Sequence, residues 1–280
     1  MQPERFVTCG LVLRETVTRD ADKILTVLTP DRGRLSVIAR GARRKGSRVA
    51  AACQLLAYSE MTLYEKGRWT MLDAADTIEL FDGLRQDLTA LSLAAYFAEL
   101  TEAVSDGCGG DVLPLLLNAL YALSALKKPP QLVKPAFQFR LMALAGYEPM
   151  ADGCALCGAP QPENPMLDVV HGVVHCGKCR EKGGLSLPLT ASGLAALRYV
   201  LYGDPRRLYS FSLPPEGLQL DLLAGRTPDR ESEGQAEFDL TAQEYDTLLA
   251  QLDESGLDYT AQETADGNSG LVLVIVKAAN

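Results

Sequence analysis

The first 80 residues of the chain are divided into short apolar segments that are separated by polar turns. β-Branched and aromatic residues dominate five of these segments, which is the composition of β-strands. The turn sequences RDAD, TPDRG and EKG separate most of them, without a long helical pattern between. Five consecutive short strands predict a small closed or half-closed β-barrel at residues 1–80. The predicted strands are residues 5–15, 23–29, 34–40, 55–65 and 68–80, and residues 49–57 (VAAACQLLA) are also compatible with a short helix.

After Phe81 the apolar residues change to the spacing of α-helices. Pro129 and Pro130 separate two helical segments, and Gly146 marks the end of the second one. The pattern therefore predicts an α+β multidomain protein, in which a helical domain at residues 81–226 contains an insertion at residues 152–184. The predicted helices cover residues 84–100, 111–126, 131–147, 190–203 and 213–225.

Beyond the helical domain, the pattern predicts a linker and a small αβ segment. We interpret the polar stretch TPDRESEGQ at residues 227–235 as a linker, and residues 236–280 as an acidic αβ segment of unknown role. The sequence TAQEYDTLLAQLDESG is typical of an amphipathic helix, with a capping box between Thr241 and Glu244. The sequence GLVLVIVK, residues 270–277, is typical of a β-strand.

The formal net charge of -9 is unevenly distributed along the chain. Residues 231–280 contain one basic and eleven acidic side chains, whereas residues 1–230 contain 26 basic and 25 acidic ones. The acidity therefore belongs to the last segment, and the average says nothing about the partner of the basic end. Residues 1–48 contain eleven Lys/Arg and five Asp/Glu. Their densest positive stretch, which no acid interrupts, consists of Arg40, Arg43, Arg44, Lys45 and Arg48.

A basic loop that leaves a small barrel is typical of nucleic-acid binding, because phosphates attract Lys and Arg and the released counterions supply affinity. Arg32 and Arg34, in the turn TPDRGRL, extend the predicted positive surface. Trp69 and Tyr64 on neighbouring strands are candidates for base stacking. The alternatives are a solvated loop and a Trp69 that belongs to the core. Arg140 stands on an otherwise apolar helix, either at the edge of the core or in a partner groove.

Four cysteines form two C-x2-C pairs inside the insertion, in the sequences CALCG and HCGKC. Two-residue spacing lets both thiolates of a pair reach one ion, and four thiolates complete the tetrahedral site of a structural zinc. The alternative is a set of unmetallated or redox cysteines. His171 and His175 are near enough to replace a thiolate, but we interpret them as surface residues and not as ligands. The predicted ligands of one Zn²⁺ per chain are Cys154, Cys157, Cys176 and Cys179; Cys9 and Cys53 are interpreted as buried core residues, and Cys108 as a loop residue.

The sequence contains none of the common catalytic signatures. GARRKGSR is close to a phosphate-binding loop, but Ser47 occupies the position of the required lysine. The chain has two histidines, both beside the cysteines, so that histidine-dependent base chemistry has few candidates. These patterns favour a binding protein over an enzyme. Neither a membrane-length apolar run nor a secretory leader is present, which predicts a cytoplasmic protein without membrane contact.

Several segments resemble, in the same order, the RecO family of bacterial recombination mediators. The stretch LVLRETVTRDADKILTVLTPDRGRLSVIARGARRKGSR is similar to the amino-terminal signature of the family, and CALCG with HCGKC is similar to its zinc insertion. FDGLRQDLTALSLAAYFAELTEAV, FQFRLMALAGYEP and LRYVLYGDPRRLYSFSLP resemble its helical segments. The resemblance covers roughly residues 3 to 217, whereas family members usually end with helices soon after the position of Leu218.

The resemblance implies an OB-fold followed by a helical domain with a four-cysteine zinc motif. Such proteins bind single- and double-stranded DNA, anneal complementary strands and act in the response to DNA damage, including the SOS response. They engage the acidic carboxy-terminal tail of single-stranded DNA-binding protein (SSB), and with RecR and RecF they help RecA load onto coated DNA. A nucleoid-associated location follows from these partners. The basic loop from Arg40 to Arg48 then belongs to the DNA-binding barrel, and Arg140 to the helix of the SSB-tail groove.

Two hypotheses remain beside this interpretation. The protein could be a zinc-stabilised scaffold for protein interactions with incidental nucleic-acid affinity. The acidic residues 231–280 could compete with DNA for the barrel, imitate the SSB tail, or only increase solubility.

Overall fold

The computed structural model describes residues 5–18, 21–105, 110–179 and 186–212, and the backbone of three further strands between residues 234 and 277. Its first five strands form a closed barrel with the order β1-β2-β3-β5-β4. The predicted barrel is thus confirmed, and the strand order is that of an OB-fold. The strands are β1 (Arg5–Thr18), β2 (Asp22–Thr29), β3 (Gly33–Ala39), β4 (Tyr58–Lys66) and β5 (Trp69–Glu79).

The long first strand closes the barrel because it pairs with two neighbours along its length. Residues 5–11 of β1 pair with β4, and its later residues pair with β2. Leu11 lies at the crossover, where it is opposite Leu28 on one side and Tyr58 on the other. The remaining gap is closed by a parallel pairing of β3 with β5 through Val37 and Ile38. This closure leaves no free sheet edge in the barrel.

Apolar side chains from every strand meet inside the barrel. Successive side chains of a strand point to opposite faces, so that alternate residues of each strand turn inward. The buried members of this core are Val12, Leu25, Val27, Val37, Ala39, Ala42, Cys53, Met61 and Leu63. The prediction that Cys53 is a core residue is confirmed, whereas Cys9 is only half-buried because it stands on β1 between inward-facing positions.

Residues 40–57, which we call the connector, join β3 to β4 through turns. The helix considered for residues 49–57 is not formed there. A hydrogen bond from the Leu56 amide to the Val12 carbonyl, 2.9 Å long, holds the end of the connector on the barrel wall instead. Strand β4 consequently begins at Tyr58, three residues later than the pattern predicts.

The chain divides into two compact units, the first of which comprises Met1–Glu148 and Gly203–Ser210. In this first unit, three helices follow the barrel. The Asp87 side chain begins the first helix by accepting bonds from the amides of Thr89 and Ala90. Stacked rings of Phe97 and Phe137, with centroids 4.1 Å apart, join the first and third helices. These helices are α1 (Leu88–Val104), α2 (Val112–Ser124) and α3 (Pro130–Leu144), and they confirm the predicted helical segments.

The second unit comprises Pro149–Tyr202 and Phe211–Asn280. Its first part is a three-stranded sheet with the order β7-β6-β8. These strands are three or four residues long, and they are followed by a helix that confirms the one predicted at residues 190–203. The elements are β6 (Pro165–Asp168), β7 (Val173–Cys176), β8 (Ser186–Pro188) and α4 (Ala191–Tyr202).

A second sheet with the order β10-β11-β9 stands near the end of the chain. Strand β11 confirms the predicted strand at residues 270–277. The two outer strands were not predicted, because their sequences GQAEFDL and DYTAQET are polar and contain few β-branched residues. The helices predicted at residues 213–225 and within 241–256 lie outside the described residues. The strands are β9 (Gly234–Leu240), β10 (Asp258–Thr264) and β11 (Gly270–Lys277).

Candidate nucleic-acid interface and metal centre

The connector presents its basic side chains to solvent while its backbone is fixed. Gly41 donates a 2.8 Å hydrogen bond to the Asp22 carboxylate, and the Arg43 amide donates a 3.0 Å bond to the Ala21 carbonyl. These two bonds attach the beginning of the connector to the beginning of β2. The exposed basic residues of the connector are Arg40, Arg43, Arg44, Lys45 and Arg48, and no acidic residue stands among residues 40–57.

Arg32 and Arg34 lie at the other end of the barrel from the connector. They occupy the turn before β3 and its second residue, whereas the connector leaves the last residue of β3. A strand of seven residues separates the two positions, which corresponds to about 20 Å. The Arg34 guanidinium donates to the carbonyl of Glu102 on α1, and the Arg32 guanidinium lies 3.9 Å from the ring centroid of Phe6.

Trp69 stands at the tip of the β4–β5 hairpin and is 45% exposed. Its cross-strand partner is Lys66, and the Arg68 guanidinium lies 5.0 Å from its ring centroid. Tyr64, two residues before Lys66, is half-buried. The sequence analysis did not single out Lys66 and Arg68, although the tip sequence EKGRW contained the signal: two cations within the three residues that precede the only tryptophan of the chain.

Arg140 is half-buried on α3. Gln138, two residues earlier on the same helix, donates a 2.7 Å hydrogen bond from its side-chain amide to the Tyr96 hydroxyl of α1. Residues two apart point to different sides of a helix, so the buried Gln138 and the half-buried Arg140 lie on different faces of α3.

The four predicted cysteines meet in space. All four sulfur atoms lie within 4.8 Å of one another, and the Sγ atoms of Cys157 and Cys176 are 3.8 Å apart. A tetrahedral zinc–thiolate site, with bonds of about 2.3 Å, has sulfur–sulfur edges of about 3.8 Å. The arrangement therefore fits a bound metal ion. The four cysteines predicted as ligands thus form one cluster with the spacing that a metal ion requires.

Two tight turns position the sulfurs. In the first, the Gly158 amide donates a 2.9 Å bond to the Cys154 carbonyl, and Gly158 has φ +74°, a conformation that favours glycine. In the second, the Cys179 amide donates a 3.0 Å bond to the Cys176 carbonyl. The Cys176 amide donates to the Cys154 sulfur at 3.3 Å, which links the two turns.

The four thiols have unequal acidities. Burial opposes ionisation of Cys154, but the amides of Cys157, Cys176 and Leu156 stabilise its thiolate and lower the pKa to about 6. The hydrogen bond with the Cys157 sulfur and burial raise the pKa of Cys179 to about 12. A cation at the centre would stabilise all four thiolates, so metal binding at neutral pH releases protons.

Helix α4 holds the loop that carries the first cysteine pair. The Arg198 guanidinium donates to three carbonyl oxygens of this loop, at 2.6, 2.9 and 2.8 Å. The Tyr202 hydroxyl accepts a bond from the Ala151 amide at 3.1 Å. The three acceptors are the carbonyls of Ala151 and Asp152, before the first cysteine pair, and of Pro160, after it. Arg198 therefore binds both ends of the loop.

The interpretation of both histidines as surface residues is wrong for His175. This side chain is 3% exposed, with Nδ1 2.9 Å from the Cys176 carbonyl and Nε2 3.0 Å from the Ser186 hydroxyl. Because a carbonyl only accepts, Nδ1 carries a proton and donates it to the Cys176 carbonyl. Both ring nitrogens are thus occupied. His171 is exposed and contacts the Asp168 carboxylate at 2.8 Å. Cys108 lies outside the described residues.

Comparison with known proteins identifies the family. The family model Recombination protein O N terminal matches residues 1–81, and Recombination protein O C terminal matches residues 85–222. The chain belongs to the RecO family. The DNA repair protein RecO of Acetivibrio thermocellus is 31% identical over 208 residues, which cover 74% of this chain and 83% of the relative.

Two further relatives have the same name. The DNA repair protein RecO of Heliobacterium modesticaldum is 37% identical over 218 residues, covering 75% of this chain and 78% of the relative. That of Symbiobacterium thermophilum is 32% identical over 212 residues, covering 74% of this chain and 84% of the relative. The chain is therefore a member of a DNA repair and recombination family. In the described part of the chain, no helix combines the length and apolar character that crossing a membrane requires.

Proposed function

We propose that this protein is a mediator of recombinational DNA repair that binds single- and double-stranded DNA and anneals complementary strands. With RecR and RecF, it helps RecA load onto single-stranded DNA that is coated by SSB. Membership of the RecO family and the resemblance of its segments support this proposal. The observation that carries it is the exposed, acid-free connector on a closed barrel.

Annealing of this kind needs no bond chemistry, and the protein acts as a binding protein and not as an enzyme. Two DNA strands repel each other through their phosphates, and a cationic surface lowers that repulsion while it releases counterions. An exposed aromatic side chain can hold a base unpaired until its complement arrives. Five exposed cations on a backbone-anchored connector supply the first property, and the 45% exposed Trp69 supplies the second.

The metal is proposed to be one structural zinc ion per chain. Four thiolates are the ligand set that zinc prefers in structural sites, and a four-thiolate site leaves no open position for water. Cys154, Cys157, Cys176 and Cys179 would hold the ion, and its charge would stabilise their thiolates.

Arg140 is proposed to bind the acidic tail of SSB. A guanidinium recognises a carboxylate through two parallel hydrogen bonds, which a lysine does not reproduce. Replacing Arg140 by Lys should therefore weaken binding of an SSB-tail peptide and leave DNA affinity unchanged. Fluorescence anisotropy with a labelled peptide and a labelled oligonucleotide measures both. Equal peptide affinity in the variant would remove this residue from the proposal.

The DNA-binding proposal is tested by the salt dependence of affinity. We expect wild-type protein to bind labelled single-stranded DNA with a steep dependence of log affinity on log salt. Each phosphate contact to a single strand contributes about 0.7 to this slope. The triple change Arg43→Ala, Arg44→Ala and Lys45→Ala should therefore make the slope shallower by about 2.

The matched control removes the same charge elsewhere, by changing Lys127, Lys128 and Lys134 near α2 and α3 to alanine. It should leave the slope close to that of wild type. Well-folded protein that fails to bind oligonucleotides even at low salt would contradict the proposed function and favour a zinc-stabilised scaffold. The proposed roles of SSB, RecR and RecA are tested by RecA loading onto SSB-coated DNA with and without RecR.

A further inference from the structure

We infer that the hairpin end of the barrel is a separate binding subsite for unpaired nucleobases, chemically different from the connector. The hairpin end comprises the β2–β3 turn, the tip of the β4–β5 hairpin and the beginning of β1. This inference rests on the proposed DNA binding and assigns two parts of it to two regions. The connector contacts the phosphates of any DNA, and the hairpin end selects single strands.

Strand directions place these three segments together. Strand β2 is antiparallel to β3, β3 is parallel to β5, and β4 is antiparallel to β5 and β1. The β2–β3 turn, the β4–β5 turn and the beginning of β1 therefore share one end of the barrel. Two contacts agree with this placement: the Arg32 guanidinium covers Phe6 of β1, and Arg5 of β1 is opposite Tyr64 of β4.

The connector occupies the opposite end. It leaves β3 at Ala39, and its Arg43 amide bonds to the Ala21 carbonyl, just before β2 begins. Arg32 and Arg34 lie about 20 Å from the connector along β3. Trp69 lies nearer to the connector, because its neighbour Thr70 pairs with Val37, three residues before Arg40. The cations of the β2–β3 turn therefore interact only weakly with those of the connector, because about 20 Å exceeds the screening length of about 10 Å at ordinary ionic strength.

An acidic surface separates the two ends along β4 and β5. Glu60 and Asp76 are direct cross-strand partners, and both are exposed. Glu79 is also exposed, at the last residue of β5. Like charges in this position repel a phosphate chain that would follow these strands from one end to the other. This face therefore does not connect the connector and the hairpin end into one continuous positive track.

The hairpin end has the chemistry that recognises unpaired bases. Trp69 is 45% exposed, with Lys66 as its cross-strand partner and Arg68 as its preceding residue. An indole ring stacks on a nucleobase, and the flanking cations contact the phosphates on either side of that base. In a duplex both faces of each base are already stacked, so that the indole gains little from it. The hairpin end thus prefers single strands.

A two-residue turn forms the tip of the hairpin that presents the indole. Only Gly67 and Arg68 connect β4 to β5, and Gly67 has φ +63°, the left-handed conformation that a two-residue hairpin turn requires. The second arginine–aromatic pair, Arg32 on Phe6, adds a further cation and an aromatic ring to the same end. Two such pairs from three segments distinguish this end from the connector, which carries cations without an aromatic residue.

The test uses the fact that Trp69 is the only tryptophan of the chain, so that intrinsic tryptophan emission reports this end alone. We expect an oligo(dT) of about eight nucleotides to quench the emission of the full-length protein. A blunt duplex, whose binding is followed through the anisotropy of its own label, should leave the emission unchanged. The triple connector variant should lose duplex affinity and keep the quenching by oligo(dT).

The variant Trp69→Ala should bind single strands about tenfold more weakly, because the loss of one base–aromatic stack weakens binding by about this factor. Its duplex affinity and its salt slope should remain those of wild type. Trp69→Phe keeps an aromatic face and should restore most of the affinity. Tyr121→Ala removes a comparably exposed aromatic residue from α2 and should change neither affinity.

Three results would overturn the inference. Oligo(dT) that binds without quenching shows that the hairpin end is not its site. Equal losses of single-strand and duplex affinity in Trp69→Ala remove the selectivity. Loss of quenching in the connector variant shows one continuous site. In each case DNA still binds, so the proposed function survives; absence of all oligonucleotide binding contradicts both.

Discussion

The barrel and the cysteine-bearing segment of the second unit are stabilised in different ways. The barrel has strands of 7 to 14 residues around a closed apolar core. The cysteine segment has strands of three or four residues, and it contains the four-cysteine cluster and the loop that Arg198 binds. In the barrel, the residues proposed to bind DNA are therefore separate from those that maintain the fold. In the cysteine segment, the chemistry and the fold depend on the same residues.

Loss of one cysteine should give the largest effect. Cys176→Ala removes a ligand whose amide and sulfur both contact the opposite cysteine pair. Structural zinc contributes about 10–16 kcal/mol to the folding of small domains, so we expect loss of the metal and unfolding of the small sheet. Elemental analysis and thermal unfolding measure these results. Cys9→Ala, outside the metal site, is the control; a Cys176→Ala protein as stable as wild type and equally free of metal would contradict a structural metal.

A barrel core substitution should affect stability and not metal content. Leu63 is fully buried, so Leu63→Ala should destabilise the first unit by about 2–5 kcal/mol through lost burial and the cavity that remains. Denaturant unfolding measures the change in free energy. Val7→Ala, at a position that is 61% exposed, should cost much less. A loss of bound metal in Leu63→Ala would show that the two regions do not have independent sources of stability.

Loss of the Arg198 guanidinium should reduce stability by an intermediate amount, and only in the cysteine segment. Arg198→Ala leaves three carbonyl oxygens without their donor, which we expect to cost about 2 kcal/mol. The metal should then be lost to a chelator faster than from wild type. Arg198→Lys restores the charge but not the three-way geometry, and should rescue the variant only in part. Arg206→Ala, an exposed arginine, is the control. Chelator kinetics equal to wild type would show that the α4 contacts do not stabilise the loop.

The smallest effect is a pH dependence at Asp168. Burial opposes its ionisation, but the His171 side chain and the amides of His171 and Val170 hold the pKa of this carboxyl below its usual value of 3.8. A lowered folded pKa means that the stabilisation is present above pH 4 and is lost as the pH falls through the folded pKa. Asp168→Asn should cost about 1 kcal/mol at neutral pH and converge with wild type in acid. Parallel acid-unfolding curves for the two proteins would contradict this role.

The order and type of elements in the barrel and bundle were accessible from sequence because they depend on local patterns. Alternation of apolar residues specifies strands such as β2 and β3, and Asp87 before an apolar repeat specifies the beginning of α1. The C-x2-C spacing likewise determines which sulfurs can share an ion. The same local logic failed for β9 and β10, whose polar sequences become strands by pairing with β11.

The position of side chains relative to one another was less accessible. The histidine beside Cys176 has no sequence feature that distinguishes an exposed ring from a buried one. In the fold its Nε2 contacts the hydroxyl of Ser186, eleven residues farther along the chain on a different strand. Arg198 is similarly 38 residues from the Pro160 carbonyl that it binds. Contacts of this separation require the folded chain.

The sequence by itself determined that this protein has a strand-rich basic end, a helical middle, four cysteines with metal-ligand spacing and an acidic last segment. Only the tertiary structure decided that the basic residues divide between two ends of one barrel. The physical reason is that residue type and spacing act along the chain, whereas the end at which a turn lies depends on strand direction. Here β5 runs parallel to β3, so that Trp69, at the beginning of β5, lies towards the end of the barrel that carries the β2–β3 turn, whereas the connector leaves the other end of β3.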